Sequence, residues 1–192
     1  GKVVIPTHEY IKKLNSSRLA SDVLGSPVLL IARTDALHAS LITSDFDDGD
    51  REYLSNKRTS DGYFSIKDNH GLAIKKALRY SEYADVIWCE TNTPDLGFAK
   101  EFADEIRKVF PDKILAYNCS PSFNWVGKFN ENEIKEFQKK LFKLGYKLQF
   151  VSLAGFHSLA SSMYELAKSY KGGDMSAIVS LQEKEMQLSE EG

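Results

Sequence analysis

With 192 residues the chain has the length of one domain and can bury about 70% of the surface it exposes when unfolded. Its composition, 42% hydrophobic and 27% charged with 5 Pro and 12 Gly, is ordinary for a soluble globular protein. A net charge of −2 leaves no basic footprint for nucleic acid or an anionic membrane, and no apolar run reaches the roughly 18 residues of a spanning helix.

Any anionic ligand must therefore be gripped by a local arrangement and not by the overall field. Cys89 and Cys119 lie far apart and form no metal-spaced pair, which points to a reducing compartment, the cytoplasm. Asn15-Ser16-Ser17 and Asn118-Cys119-Ser120 match the glycosylation pattern. Both are discounted, because no export signal is present and the second sits at a buried strand end.

The run Gly1 to Pro6 has no start methionine and reads as the tail of an element already under way. From Thr7, a fair helix cap, Ile11, Leu14, Arg18 and Val23 keep roughly helical spacing until Gly25-Ser26-Pro27 stops the helix. Val28-Leu29-Leu30-Ile31-Ala32 is a continuous branched apolar run, the pattern of a strand covered on both faces. Arg33-Thr34-Asp35 follows at once. A guanidinium there is either an ordinary solvated charge or a fork aimed at a carboxylate. Between Thr43 and Asn69 periodicity fades, and the segment around 43–70 is expected to be a long loop, functional or mobile. Its Asp45, Asp47, Asp48, Gly49 and Asp50 suggest calcium, but the spacing fails. Gly49 comes one place early, and Asn56 stands where the bidentate Glu belongs.

A helix over Leu72–Tyr80 leads to a second strand, Ala84–Glu90, closed by a carboxylate. Thr93-Pro94 is the expected cap of the next helix, striped by Leu96, Ala99, Phe102, Ala103 and Ile106. The third strand, Ile114–Tyr117, runs into Asn118-Cys119-Ser120-Pro121-Ser122-Phe123-Asn124-Trp125. That string offers an amide and two hydroxyls within five residues, with Pro121 stiffening the turn. Neutral groups of this kind can hold a carboxylate by several hydrogen bonds. Asn130 and Glu133 form a capping-box pattern for a helix striped by Ile134, Phe137 and Leu141. Lys147–Leu153 is the fourth strand, with Ser152 near its end. Helices over Phe156–Tyr170 and from Asp174 to about Met186 follow.

This alternation argues for a parallel α/β sheet with helical crossovers. No Gly-x-Gly-x-x-Gly or Gly-x-x-x-x-Gly-Lys-Ser/Thr is present, which weighs against nucleotide-binding doubly wound folds. All four strand ends carry polar groups: Arg33 and Asp35, then Glu90, then Asn118, Ser120 and Ser122, then Ser152. Convergence of that kind is what the mouth of a β/α barrel requires. Four strands cannot close a ring of eight, so the expected fold is a single partial TIM-type (β/α)8 domain, incomplete on its own. Either a partner lends strands or the chain is a piece of something longer.

Four strings together resemble the isocitrate lyase family, within the isocitrate lyase and phosphoenolpyruvate mutase superfamily. They are Ile31-Ala32-Arg33-Thr34-Asp35-Ala36, Trp88-Cys89-Glu90-Thr91 with Thr93-Pro94-Asp95-Leu96, Ala116 through Trp125, and Leu153-Ala154-Gly155-Phe156-His157-Ser158-Leu159. The resemblance covers essentially all 192 residues and looks like the carboxyl-terminal half of the family's barrel. It implies Mg2+-dependent cleavage of isocitrate to succinate and glyoxylate, in the glyoxylate bypass beside the tricarboxylic acid cycle. It also implies a homo-oligomer, a homotetramer, in the cytoplasm or, in a eukaryote, the glyoxysome or peroxisome.

By the same resemblance Arg33 grips a substrate carboxylate, and Asn118, Cys119, Ser120, Pro121 and Ser122 hold the succinate end. Ser152, where the family usually has Thr, keeps the hydroxyl and loses the methyl. Glu90 is implied as the catalytic carboxylate beside the metal-bound water, one step removed from the metal. The family's Lys-Lys-Cys-Gly-His motif and its magnesium-organising aspartates would lie upstream of Gly1, so no metal ligand is expected in this chain. Cys89 and Cys119 are read as inert buried thiols. His157 is read as a helix-end residue, not a base, and His8, His38 and His70 as surface residues. No Gly-x-Ser-x-Gly elbow supports a hydrolase. The alternatives are a non-catalytic truncated module pairing with a full-length subunit and an enzyme resembling methylisocitrate lyase.

Overall fold

The computed structural model describes residues 2–191. They form two compact units, one running to Phe150 and one starting at Val151, where the sequence reading has a single partial domain.

The core of the first unit is a four-stranded parallel sheet of β2 (Ile31–Thr34), β6 (Val86–Cys89), β7 (Ile114–Asn118) and β8 (Tyr146–Phe150), in that spatial order. Strands that follow one another along the chain are neighbours throughout, with no reversal of order. A doubly wound sheet reverses at its switch point; a β/α barrel does not. The connections are helical: α3 (Asn69–Tyr80), α4 (Leu96–Val109) and α5 (Glu131–Lys143), with α1 (Thr7–Leu24) leading in. The sheet does not close into a barrel.

Within this unit α1, α3, α4 and α5 cover one face of the sheet. Ile11 and Leu14 of α1, Leu72 and Ala77 of α3, Phe102 and Ile106 of α4 and Phe137 and Leu141 of α5 pack in one cluster with Ala32, Ile87, Leu115, Tyr117 and Tyr146. The opposite face is partly open: Ile31, Ile114 and Leu148 are 43, 40 and 37% exposed, while Val86, in register between the first two, is buried. Parallel strands are built to be covered on both faces, so this is half of a core.

Local rules place most elements, and the structure corrects several of them. The first strand is Ile31–Thr34, not Val28–Ala32, and Val28 and Leu29 are exposed. The apolar run is longer than the strand it feeds. Asp95, not Thr93, caps α4, its Oδ1 accepting from the amides of Gly97 and Phe98. The fourth strand stops at Phe150, short of Leu153. Lastly, the supposed loop around 43–70 is structured. It holds β3 (Leu41–Ile42), α2 (Asp48–Arg51), β4 (Leu54–Arg58) and β5 (Phe64–Ile66), which with β1 (Val3–Val4) form a second sheet ordered β1-β3-β5-β4. Strands of two or three residues leave no periodic trace, and β4, five residues long, is polar and largely exposed after Leu54.

A buried ion pair ties this small sheet to the barrel helices. Lys76 Nζ lies 3.1 Å from Asp50 Oδ2, both side chains essentially inaccessible, and also donates to the Ile5 carbonyl at 2.8 Å. Asp50 takes the Thr7 amide at 2.7 Å and the Thr7 hydroxyl at 2.6 Å, so Thr7 anchors the start of α1 and does not cap it. Burial lowers the Lys76 pKa from its ordinary 10.5, while the Asp50 charge works against that fall.

The second unit comprises α6 (Ala154–Tyr170) and α7 (Ser176–Glu191), longer at their outer ends than the sequence pattern suggests. Among the described residues no helix is long and apolar enough to cross a membrane.

Lys76→Met should cost about 3–5 kcal/mol of stability, because it strands the Asp50 carboxylate in the interior. Adding Asp50→Asn should recover part of that loss by removing the stranded charge. Urea unfolding of the single and double variants measures both effects; equal losses would mean that the charge is not the cause.

Candidate functional site at the strand ends

Side chains alternate across a strand, so register decides which residues meet. Arg33 pairs with Trp88, and Trp88 with Ala116. These three share the open face, while Ala32, Ile87, Cys89, Leu115 and Tyr117 turn into the helix-packed core. Two residues beyond Trp88 and Ala116, the same parity brings Glu90 and Asn118 to the open side.

Five polar groups join there. Arg33 Nη2 lies 2.8 Å from Asp35 Oδ2 and 3.4 Å from Glu90 Oε2. Glu90 Oε1 accepts from Asn118 Nδ2 at 3.3 Å, and Lys2 Nζ reaches Asp35 Oδ1 at 2.5 Å. The guanidinium carbon sits 4.7 Å from the centre of the Trp88 ring, a cation–π distance. Trp88 in turn meets Phe150 edge-on at 5.0 Å, the small Ala116 on the intervening strand leaving room between them. Arg33, Glu90 and Asn118, expected at one mouth from three separate strands, form one connected network.

The turn after β7 divides its labour. Ser120 is buried; its hydroxyl accepts from the Ser122 amide at 3.1 Å and its carbonyl from the Trp125 indole at 2.8 Å. It shapes the turn, with half-buried Pro121 beside it, while Ser122 is exposed. Cys119 sends its thiol into the core and gives its amide to the Phe150 carbonyl at 2.8 Å. Burial pushes that thiol up to about 11 and the Cys89 thiol further, so both stay protonated at neutral pH. Ser152 belongs to the second unit, in the turn before α6. The next residue, Leu153, has φ of 60°, a left-handed backbone that side chains rarely adopt.

Two participants were missed in the sequence. Trp88 was legible: it stands two residues before Glu90 in a strand and so shares its face. Its indole Nε1 is buried with no hydrogen-bond partner among the described residues. Lys2 left no signal, since it meets Asp35 across 33 positions. The histidines also have partners. His8 pairs with Asp47 at 3.2 Å, His70 lies edge-on to Phe98, and His38 Nε2 accepts the Asn92 amide at 3.2 Å. That last bond stitches the turn after β2 to the turn after β6. His157 is exposed within the first turn of α6.

Among the described residues no cluster of three or more His, Cys, Asp or Glu side chains could hold a metal ion.

The isocitrate lyase family model matches residues 1–57 and 53–191. The chain belongs to the isocitrate lyase family. It is 51% identical over 191 residues to the isocitrate lyase of Corynebacterium efficiens, an alignment covering 100% of this chain and 44% of that protein. With the isocitrate lyase of Halalkalibacterium halodurans it shares 52% over 185 residues, covering 96% and 43%. With isocitrate lyase 1 of Mycobacterium tuberculosis it shares 47% over 192 residues, covering 100% and 45%. The chain thus spans less than half the length of these curated relatives.

The stitch at His38 makes a pH prediction. Partial burial lowers the His38 pKa from 6.5, with Lys2 adding to the fall and Asp35 opposing it. The folded state then binds fewer protons than the unfolded one, so stability held above pH 6.5 is lost as the pH drops towards the folded value. The thermal midpoint should fall in that window. In His38→Gln, which keeps an acceptor but does not titrate, the slope should flatten.

Proposed function

We propose that this chain supplies the substrate-gripping portion of a lyase that cleaves isocitrate to succinate and glyoxylate. The observation that carries the reading is the link from Arg33 through Glu90 to Asn118, which gathers three parallel strand ends into one network. Kinship with isocitrate lyases supplies the reaction.

The chemistry suits these groups. Arg33 is half exposed, and its longer contact, 3.4 Å to Glu90, is the one a ligand carboxylate would take over. Its planar fork matches a carboxylate in two parallel hydrogen bonds. Asp35 and the Trp88 ring hold the guanidinium while that exchange occurs. Asn118 is oriented by Glu90, and the turn after β7 adds the exposed Ser122 hydroxyl as a neutral donor. Breaking the carbon–carbon bond leaves negative charge on the succinate fragment. Donors already fixed in place stabilise that charge without the reorganisation that water would need. Glu90, with one oxygen on Asn118 and the other facing Arg33, orients its neighbours.

The described residues do not fit the Mg2+ that family membership implies. The carboxylates of Asp35 and Glu90 are already committed to Lys2, Arg33 and Asn118. Magnesium ligands therefore belong, in this reading, to the part of the protein that these residues do not span. A homo-oligomer and a cytoplasmic location go with the proposal and rest on kinship alone.

The full-length protein carrying this segment should release glyoxylate from isocitrate, and no release would sink the reading. There, Arg33→Lys should lower kcat/KM by at least about 100-fold, because a point charge cannot reproduce the fork. Unchanged kinetics would remove Arg33 from the site. Ser122→Ala should weaken succinate inhibition by about 1–3 kcal/mol, and an unaltered inhibition constant would show that this hydroxyl does not touch succinate.

A further inference from the structure

The charge at the network is balanced, and the balance has a source outside the strands. Arg33 faces two carboxylates, Asp35 at 2.8 Å and Glu90 at 3.4 Å, which alone would leave the cluster with one net negative charge. Such a cluster would repel an incoming anion. Lys2 supplies the missing positive charge and binds the Asp35 oxygen that Arg33 does not use. The two cations therefore share one carboxylate without competing for an oxygen.

Lys2 is placed there by structure, not by chance of a flexible end. The next residues, Val3–Val4, pair in parallel with Leu41–Ile42 of the small sheet. Beyond them, Ile5 is held through its carbonyl by the buried Lys76, and Thr7 through its amide and hydroxyl by the buried Asp50. Residues 3 to 7, directly after Lys2, are thus held at several points, which sets the lysine within reach of Asp35. Asp35 is only 24% exposed at its side chain, so its charge is not simply screened by water.

We propose that Asp35 and Lys2 are positioning residues for ligand capture: Asp35 aims the Arg33 guanidinium, and Lys2 cancels the Asp35 charge so that Arg33 keeps its pull on an anion. This rests on the reading of Arg33 as the carboxylate grip. Neither residue touches the ligand; both act through Arg33.

The test uses the full-length lyase, with steady-state kinetics on isocitrate and calorimetric binding of succinate as a readout independent of turnover. Lys2→Met should raise KM and the succinate Kd about tenfold and change kcat less than about twofold, since it adds one uncompensated charge a few ångströms from the ligand. Lys2→Met/Asp35→Asn restores neutrality and keeps an acceptor for Arg33, so it should recover most of that loss. The Lys2→Met defect should also shrink as ionic strength rises from about 0.01 to 1 M, which a packing defect would not do. An unchanged KM and Kd in Lys2→Met, a double variant no better than the single, or a defect indifferent to salt would each overturn the proposal. Arg33→Ala separates the two levels. If it abolishes succinate binding while Lys2→Met has no effect, only the positioning claim fails. If Arg33→Ala also binds normally, the grip itself is wrong and the positioning claim falls with it.

Discussion

In-register pairing of β2, β6 and β7 is the constraint on which the site depends. It sets Arg33 beside Trp88 and Trp88 beside Ala116, and parity then carries Glu90 and Asn118 to the same side. A slip of one residue would turn the Arg33 guanidinium towards Leu72, Ala77 and the rest of the helix-packed core. An unpaired charge buried there costs several kcal/mol, far more than a misplaced apolar residue. The same slip would expose Ala32, and a slip of β6 or β7 would expose Ile87 or Leu115. Packing against the helices and hydration of the polar strand ends therefore select one register together.

The small sheet is the second support, and it works by geometry more than by net stabilisation. Burying the Lys76–Asp50 pair removes two charges from water, and their attraction roughly offsets that cost. What the pair contributes is uniqueness. Residues 5, 7, 50 and 76 must all meet for its hydrogen bonds to be complete, so the segment before α1 has one place to go. The open face of the main sheet is the counterpart. Ile31, Ile114 and Leu148 are apolar and exposed there, on strands of a kind that is ordinarily covered on both faces.

Elements governed by near neighbours were legible in the chain. The Asn130–Glu133 capping box forms as its pattern suggests, and Gly25 closes α1 with a left-handed turn. The stripe of α4 is buried at Ala99, Phe102, Ala103 and Ile106. Reading failed where the decisive partner is remote or the element short. Thr7 looks like a cap until Asp50 arrives from 43 positions away. Asp47 and Asp50 look like loop carboxylates, yet one caps α2 and the other is fully buried. Cys119 sits inside the most conspicuous string of the chain but points into the core, because parity, not proximity in sequence, assigns its face.

By itself the sequence determined the alternation of strands and helices, the polar character of each strand end and the family. These are written in runs of adjacent residues, and local spacing is enough to express them. Only the tertiary structure decided that Arg33, Glu90 and Asn118 touch, that Trp88 lies beneath the guanidinium, and that Lys2 balances Asp35. Each of those facts depends on which strand lies beside which and in what register. That is settled by burial over the whole unit, a quantity no single stretch of chain contains.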